Sequence, residues 1–248
     1  MSQSTRTASR EDILDAAAAG VDLTRTDIDT WVFDLDNTLY HARYNLFDQV
    51  ESRIRAFIAD FLKIDLDQAY ALQKQYWREH GTSLRGLMTL HACPPEKFID
   101  YVHDIDLSGI PANPDLDALL TRLPGRKVIF TNGSQPHAER ITQRLGIAHH
   151  FEGIFDIAAA GYVPKPTVSV YEELVRRFAF DPRRAIMLDD MLHNLKPAHD
   201  LGMRTVWVRT DESVERAKLV GGDRAYIHHE TDDVVDFLQQ WPVKAHQA

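Results

Sequence analysis

The chain has a single cysteine, no excess of basic residues and no long apolar run, and each shortage excludes a class of protein. With Cys93 alone, no disulfide can form within the chain, so a reducing compartment is allowed. A net charge of -9 argues against a nucleic-acid-binding protein, because a phosphate backbone requires a basic face. No apolar run approaches the roughly 18 residues that span a bilayer. We therefore expect a cytoplasmic protein whose partners include neither a nucleic-acid polymer nor a membrane.

The composition is that of an ordinary globular protein. The 248 residues are 44% hydrophobic and 26% charged, enough for one large domain or for a core with a smaller insertion. Residues 1–27 are predicted to be an extension, with Ser9 as the cap of a short helix over 11–19. Cys93 is expected to be a small buried side chain, since no activating base is identifiable for it.

Short apolar runs alternate with amphipathic helical patterns along most of the chain. Runs that predict strands occupy 31–33, 127–130, 154–160, 185–188 and 205–208, with 226–227 as a candidate edge strand. Helical patterns in the same part of the chain occupy 115–123, 136–145, 168–178, 195–201 and 232–241. Strands that alternate with helices predict the α/β class, with a doubly wound, Rossmann-like parallel sheet.

A helical block separates the first predicted strand from the others. Apolar residues recur at three- and four-residue steps over 47–61, and further helical patterns cover 66–80, 83–91 and 95–104. Because this block contains no predicted strand, we expect a helical insertion at residues 43–109. The α/β core would then comprise residues 28–42 and 110–248.

Two aspartates follow the first apolar run. Asp34 and Asp36 are two positions apart, and side chains at that spacing lie on the same side of an extended chain. The hydroxyl of Thr38 follows two positions later. Two carboxylates at a strand end require stabilisation, and Mg2+, which takes carboxylate, phosphate and water oxygens, supplies it. The alternative is a turn, where Asx hydrogen bonds also favour Asp-x-Asp.

A second polar segment, Thr131-Asn132-Gly133, follows the predicted strand 127–130. The threonine offers a hydroxyl, and the backbone at Gly133 can approach an anion closely because glycine lacks a Cβ. Lys165 stands between two prolines, which restrict the local backbone and hold its ammonium in place. These four residues are candidate phosphate ligands, although a turn and a solvated charge explain them equally well one by one.

A second acidic pair, Asp189-Asp190, follows the apolar run 185–188. Doubly wound sheets bind ligands at the carboxyl ends of their strands, so this pair and Asp34 are expected to converge. Asp189 and Asp190 would complete a metal site. Taken alone, the pair is also explained as a helix cap.

Together these groups match the needs of phosphoryl transfer, which are a nucleophile, a cation, hydrogen-bond donors and an acid for the leaving group. Asp34 can attack phosphorus and form an aspartyl-phosphate. Asp36 can protonate the leaving alkoxide and then activate water. This division requires Asp36 to keep its proton longer than Asp34, which metal ligation of Asp34 would favour.

The clusters comprise, in chain order, Asp34-x-Asp36-x-Thr38, then Thr131, then Lys165-Pro166, then Asp189-Asp190 with Asn194 behind them. In this order they resemble the four motifs of the haloacid dehalogenase superfamily of phosphatases. The resemblance covers about residues 30–210. It implies that the helical block is a C1 cap inserted between the first and second motifs.

The resemblance also implies a role for each matching residue. Asp34 would be the nucleophile and a Mg2+ ligand, and Asp36 the acid and base, binding the metal through its carbonyl. Asp190 would finish the metal shell, with Asp189 acting through water. Thr131 and Lys165 would hold phosphate. Because the dehalogenase branch lacks the second aspartate of the first motif and Asp36 is present here, dehalogenation is rejected.

A finer resemblance is to the pyrimidine 5'-nucleotidase subfamily, whose members hydrolyse UMP and CMP. It is carried by the stretches 36–40, 76–87 and 131–133 and by the acidic pair with Asn194. The partner implied is a small phosphate ester, a nucleoside monophosphate. The candidate contacts to its leaving group are Tyr40, His41, Arg85 and His91, each equally explained by packing or solvation.

The sequence is also compatible with other functions. The same core would serve a sugar phosphate, phosphoglycolate or another small ester, and a phosphomutase would also form an aspartyl-phosphate. A receiver-type signalling module uses similar residues, but its acidic pair precedes the acceptor aspartate and it has no helical insertion. A non-catalytic binding protein would not need every catalytic group. The sequence leaves the oligomeric state undetermined.

Overall fold

The structure is a computed structural model that describes residues 28–219 and 224–241. Six strands within these ranges are β1 (Thr30–Phe33), β2 (Arg126–Phe130), β3 (Gly153–Phe155), β4 (Ala185–Asp189), β5 (Arg204–Val208) and β6 (His229–Thr231). They form one sheet in the order β3-β2-β1-β4-β5-β6, and every pairing is parallel. The prediction of a doubly wound α/β sheet is confirmed.

Ten α-helices lie in the described ranges. Five precede β2, and they are α1 (Leu46–Leu62), α2 (Leu66–His80), α3 (Ser83–His91), α4 (Pro95–Val102) and α5 (Pro114–Arg122). The others are α6 (Gln135–Leu145), α7 (Val168–Phe178), α8 (Leu192–Asp200), α9 (Asp211–Leu219) and α10 (Val234–Gln240). Within the described ranges, none of these helices has the length and apolar character needed to cross a bilayer.

The strand β1, in the middle of the sheet, shows why the strands appear in the sequence as continuous apolar runs. All four of its residues are buried. Successive side chains alternate between the two faces of the sheet, so Trp31 and Phe33 pack in one apolar cluster and Val32 in the other. A parallel strand covered by helices on both faces has no polar side, which is the pattern in the sequence.

The helices α1 to α4 lie between β1 and β2 in the chain and share an apolar cluster of their own. Its most buried members include Ile58, Ala69 and Leu87, and Ile157 joins it from the rest of the chain. Cys93 is buried in this cluster, and burial raises the pKa of its thiol. The helices therefore occur where the insertion was expected, while the division into a core and a cap at residues 43–109 stays a prediction.

The structure differs from the sequence expectations in three places, which are a strand that is shorter, an edge strand that lies elsewhere and a helix that was not predicted. The predicted strand 154–160 ends at Phe155, because the Asp156 carboxylate accepts hydrogen bonds from the backbone of Gln135 and Ala159 and turns the chain. Residues 226–227 form a turn, in which Ile227 N–H donates to Arg224, and the edge strand is β6.

The helix α9 was not predicted, since its sequence is mostly polar and lacks a clear apolar period. The predicted extension, with its helix over 11–19, lies outside the described residues.

Candidate active site

The predicted site residues meet at the switch point of the sheet, between β1 and β4. Asp34 follows β1 directly, and its backbone N–H donates to Leu188 O on β4 at 2.9 Å. Asp189 is the last residue of β4, and Thr131 follows β2. The chain runs outward from β1 in one direction and from β4 in the other, so a crevice opens at their carboxyl ends.

Lys165 joins these strand ends. Its Nζ donates to Asp34 Oδ1 at 2.8 Å, to Asp189 Oδ2 at 2.7 Å and to Phe130 O at 2.9 Å. The side chain is 1% exposed. Burial disfavours its charge, but Asp189 and Asp34 more than compensate and raise the pKa of Lys165. It is therefore a permanent buried cation.

Asp34 is the carboxylate under most electrostatic strain. Burial, with Asp189 and Asp36 adding repulsion, raises the pKa of Asp34 to about 7 despite the ammonium of Lys165. Its Oδ2 accepts a hydrogen bond from the Thr38 hydroxyl at 3.1 Å. Near neutral pH, the positive charge beside Asp34 is too small to keep its carboxylate fully ionised.

The donor set fits a divalent cation. Carboxylate oxygens of Asp34, Asp189 and Asp190 all lie within 4.8 Å of one another. When all three are ionised, the ammonium of Lys165 balances one of them and leaves two negative charges. Oxygen ligands and an excess of two charges match the chemistry of Mg2+.

The two neighbouring aspartates are held differently. Asp189 is fully buried, and its oxygens accept from Lys165, from the Met191 N–H at 2.8 Å and from the Asn194 amide at 3.0 Å. Asp190 lines the cavity that also contains Asp34. Its position favours Asp190 as the direct metal ligand.

The loop Thr131-Asn132-Gly133 approaches the same crevice. The Gly133 N–H donates to Thr131 Oγ1 at 2.9 Å. A Cβ at Gly133 would lie 3.2 Å from that oxygen and 3.3 Å from the His137 ring, so a side chain would crowd the loop. The Asn132 side chain accepts from the Lys165 N–H at 2.8 Å, and thus braces the lysine.

Asp36 has a different environment from Asp34. Its Oδ1 accepts from Tyr40 Oη at 2.6 Å and from His137 Nε2 at 3.0 Å. Burial alone would raise its pKa, but His137 and Tyr40 lower the pKa of Asp36 below its usual range. The surrounding side chains by themselves therefore give the reverse of the order required for an Asp36 acid, and a cation at Asp34 would have to restore it.

Sequence reasoning missed His137. It lies in the first turn of α6, directly after the Thr131-Gly133 loop, and its partner Asp36 is 101 positions away. The only signal was its place in a helix that begins at a candidate phosphate loop.

A cavity of about 460 Å3 opens over these groups. Asp34, Asp36, Thr131, Lys165 and Asp190 line one end of it. Apolar and aromatic side chains from α1, α2 and α4 line the other, among them Phe47, Val50, Ile54, Trp77, Phe98 and Val102. The helices α1, α2 and α4 thus give the cavity a largely apolar lining on this side.

The four residues expected to contact the leaving group do not line this cavity, whose lining is known for the described residues only. Tyr40 is buried against Asp36, and His41 is exposed, accepting a hydrogen bond from Arg43 N–H. Arg85 is half-buried on α3, and His91 bonds the Tyr76 hydroxyl at 2.7 Å. Their roles in substrate binding stay predictions.

A doubly wound sheet with a buried aspartate and lysine pair at its switch point defines an α/β protein with a carboxylate-rich site at its strand ends. The chain belongs to the haloacid dehalogenase-like hydrolase family, whose model matches residues 28–202.

Two curated relatives are similar over most of the chain. Protein CbbY from Cereibacter sphaeroides is 25% identical over 219 residues, which are 79% of this chain and 90% of CbbY. Glyceraldehyde 3-phosphate phosphatase from Methanopyrus kandleri is 27% identical over 195 residues, 72% of this chain and 82% of that protein. The crystal structure of CbbY from Rhodobacter sphaeroides with phosphate shares the fold, with a TM-score of 0.61 and 18% identity over 85% of this chain and 96% of its own. The family and these relatives support a phosphatase.

Proposed function

We propose that the protein is a Mg2+-dependent phosphomonoester hydrolase that acts through an aspartyl-phosphate, with a pyrimidine nucleoside 5'-monophosphate as its substrate. One observation carries the proposal of hydrolysis. Asp34 is buried at the switch point and accepts a hydrogen bond from Lys165, its carboxylate lies within 4.8 Å of that of Asp190, and both line the cavity. That arrangement presents a fixed carboxylate to a bound phosphoryl group.

In the first step, an oxygen of Asp34 attacks phosphorus and the bond from phosphorus to the ester oxygen breaks. Asp36 gives its proton to the leaving alkoxide, so the alcohol departs neutral. Lys165 orients Asp34 through its 2.8 Å contact and offsets negative charge beside it. Thr131 and the Gly133 backbone face the transferred group.

In the second step, Asp36 takes a proton from water and the water oxygen attacks phosphorus. The bond from phosphorus to the Asp34 oxygen breaks, which releases inorganic phosphate and restores the carboxylate. The same residue serves as acid and then as base, so both steps depend on its position.

The metal would be held by Asp34 and Asp190, with Asp189 behind them and the Asp36 carbonyl as a further ligand. When bound, Mg2+ neutralises the phosphoryl oxygens and the excess charge of the carboxylates. Asp189 keeps Lys165 and Asn194 in place.

The lining of the cavity supports a nucleotide. A nucleobase has a flat, weakly polar face that packs against aromatic and aliphatic side chains, here Phe47, Trp77 and Phe98. The hydroxyls of a sugar would find no hydrogen-bond partner on the phenyl rings of Phe47 and Phe98. Closure of α1 to α4 over the substrate would exclude water.

A sugar phosphate is the second candidate, because the relatives reported above include a glyceraldehyde 3-phosphate phosphatase. Lys74, Arg78 and Gln73 also line the cavity and provide polar contacts for hydroxyls. The two candidates share every catalytic residue and differ only in what α1 to α4 contact.

The test is phosphate release from purified protein with Mg2+, and with EDTA as control, across nucleoside monophosphates, sugar phosphates and phosphoglycolate. Preference for UMP or CMP supports the nucleotidase proposal. Preference for another ester keeps the mechanism and rejects that substrate. Return of the phosphoryl group to a sugar without free phosphate indicates a phosphomutase, and no metal-dependent release from any ester overturns the proposal.

A second measurement addresses the acid and base. Asp36→Ala is expected to slow turnover by about 10²–10⁴-fold, the usual contribution of a general acid or base, while metal binding is largely retained. An unchanged rate would remove this role from Asp36.

A further inference from the structure

The two carboxylate oxygens of Asp36 have different surroundings. Oδ1 accepts two hydrogen bonds, from Tyr40 Oη at 2.6 Å and from His137 Nε2 at 3.0 Å. Oδ2 lies beside the phosphate loop, 3.6 Å from where a Cβ on Gly133 would stand. No hydrogen bond to Oδ2 is present among the described residues. One oxygen is thus anchored and the other points to the loop that faces the transferred group.

His137 is fixed in place as an N–H donor. Its side chain is 1% exposed, and its Nδ1 is buried with no hydrogen-bond partner among the described residues. Since Asp36 Oδ1 is an acceptor, Nε2 is the ring nitrogen that carries the hydrogen in this contact.

The ring of His137 is also held from the insertion side. It stacks on His103, with centroids 4.4 Å apart and an interplanar angle of 17°. His103 follows α4 directly and its Nδ1 bonds Ser134 Oγ at 2.9 Å. Burial, with His137 and Arg140 nearby, lowers the pKa of His103 to about 3, so this ring is neutral.

We propose that His137 is a positioning residue that, together with Tyr40, anchors Asp36 Oδ1 so that Oδ2 is the oxygen that delivers and collects the proton. The proposal rests on the proposed phosphatase function and adds to it the residue that aims the acid. Without the His137 donor, Tyr40 alone anchors Oδ1, so the Asp36 carboxyl group has more freedom to turn, and a misplaced acid loses much of its rate advantage.

The leaving group provides a specific readout. An alkoxide is a poor leaving group and needs the Asp36 proton as its bond to phosphorus breaks. A p-nitrophenolate delocalises its charge and departs without that proton. Loss of acid positioning therefore slows alkyl esters selectively, whereas general damage to the site slows both kinds of ester alike.

The experiment compares wild type with His137→Phe, which keeps an aromatic ring against His103 but has no donor, and with His137→Gln, whose amide restores an N–H. The quantity compared is kcat/KM, because it covers the steps up to departure of the leaving group and not the later hydrolysis of the aspartyl-phosphate, which is common to all esters. For the alkyl phosphate that wild type hydrolyses fastest, we expect kcat/KM of His137→Phe to fall roughly tenfold to hundredfold. For p-nitrophenyl phosphate the loss in kcat/KM should be at least several-fold smaller, and His137→Gln should recover part of the loss on the alkyl ester.

The control for a histidine to phenylalanine change is His149→Phe, because His149 is exposed and is not among the described residues that line this cavity. Tyr40→Phe removes the other donor to Oδ1 and should show the same leaving-group selectivity, so the proposal is tested even if His137→Phe does not fold. Equal losses on both esters, in whichever of these variants melt as wild type does, would overturn it. Wild-type protein that releases phosphate from no ester would instead overturn the proposed function itself.

Discussion

At the scale of one residue, Asp34 shows a conflict between stability and the proposed function, because its ionised form is the reactive one and also the less stable one. Its pKa rises from 3.8 to about 7 on folding, chiefly by burial. The folded protein therefore binds a proton that the unfolded chain has lost between these values, and stability falls as pH rises through this window. Above about pH 7 the carboxylate is ionised at a cost, which is the state required of a nucleophile.

Asp34→Asn should abolish turnover and yet stabilise the metal-free protein. The amide is neutral at every pH, so we expect Tm in EDTA at pH 8 to rise by at least 2–4 °C, about 1 kcal/mol for a chain of this size. At pH 5, where Asp34 is largely protonated, the gain should be smaller. Phosphate release and thermal melting of the same preparation check both effects, and substantial residual activity would refute covalent catalysis by Asp34.

Unlike the ionised Asp34, Lys165 stabilises the folded protein. Its removal would leave the carboxylates of Asp34 and Asp189 without a positively charged partner. Lys165→Met is expected to cost about 3–5 kcal/mol in urea unfolding at pH 8, as for other buried pairs that lose one partner. The cost should shrink at pH 5, since Asp34 then takes up a proton.

The matched control for that change is Lys127→Met. Lys127 is also buried, on β2, but within the described part of the chain its Nζ donates only to the carbonyls of Leu123 and Gly125. Its replacement leaves no buried carboxylate unpaired, so we expect a clearly smaller loss at pH 8. Equal losses at the two positions would mean that the ion pairs do not decide the cost.

Among the elements, the contact between α2 and α3 sets the shape of the insertion. Gly86 on α3 lies so close to α2 that an added Cβ would stand 2.5 Å from the Tyr76 ring. Gly86→Ala should therefore destabilise by about 1–3 kcal/mol, an overpacking effect that outweighs the helix propensity of alanine. Gly109→Ala is the control, since a Cβ there would have no described residue within 4 Å, and chemical denaturation measures both. A stabilised Gly86→Ala protein would show that α2 and α3 separate freely.

Elements were predictable where local signals coincide. The bounds of α2 follow from an apolar period, the Asp65 capping box with Gln68 and the terminating Gly81, and all three are visible in the sequence. The strand proposed over 154–160 failed because Asp156 bonds backbone groups of α6, a contact that no local pattern reveals. The helix α9 lacked an apolar period.

The residues of the candidate site also divide into those that local sequence signals predict and those that they do not. Asp34, Lys165 and Asp189 were predictable because each stands at a strand end or in a rigid turn, and topology then brings them together. The contacts of Asp36 with His137 and of His137 with His103 connect distant parts of the chain, so spacing gave no sign of them. Residues such as Arg85 and His91 were selected by chemistry alone, and side-chain chemistry does not indicate which face of a helix meets the cavity.

At the scale of the whole molecule, a divalent cation would act in two places, on the carboxylates at the strand ends and on the net negative charge of the chain. Asp34, Asp189 and Asp190 hold more negative charge than Lys165 balances, and the chain carries a net charge of -9. Any divalent ion therefore screens the surface as well as filling the site, and the two effects must be separated.

Mg2+ should raise Tm more at pH 8 than at pH 5. A ligand that binds only the folded state stabilises it by an amount that grows with its affinity, and Mg2+ competes with the proton that Asp34 holds below about pH 7. Matched ionic strength in KCl subtracts screening, and Asp190→Asn removes a cavity-facing ligand while leaving the Lys165 pair intact. A Tm shift that is equal at both pH values, or unchanged in Asp190→Asn, would place the stabilising ions on the surface of the molecule and not between β1 and β4.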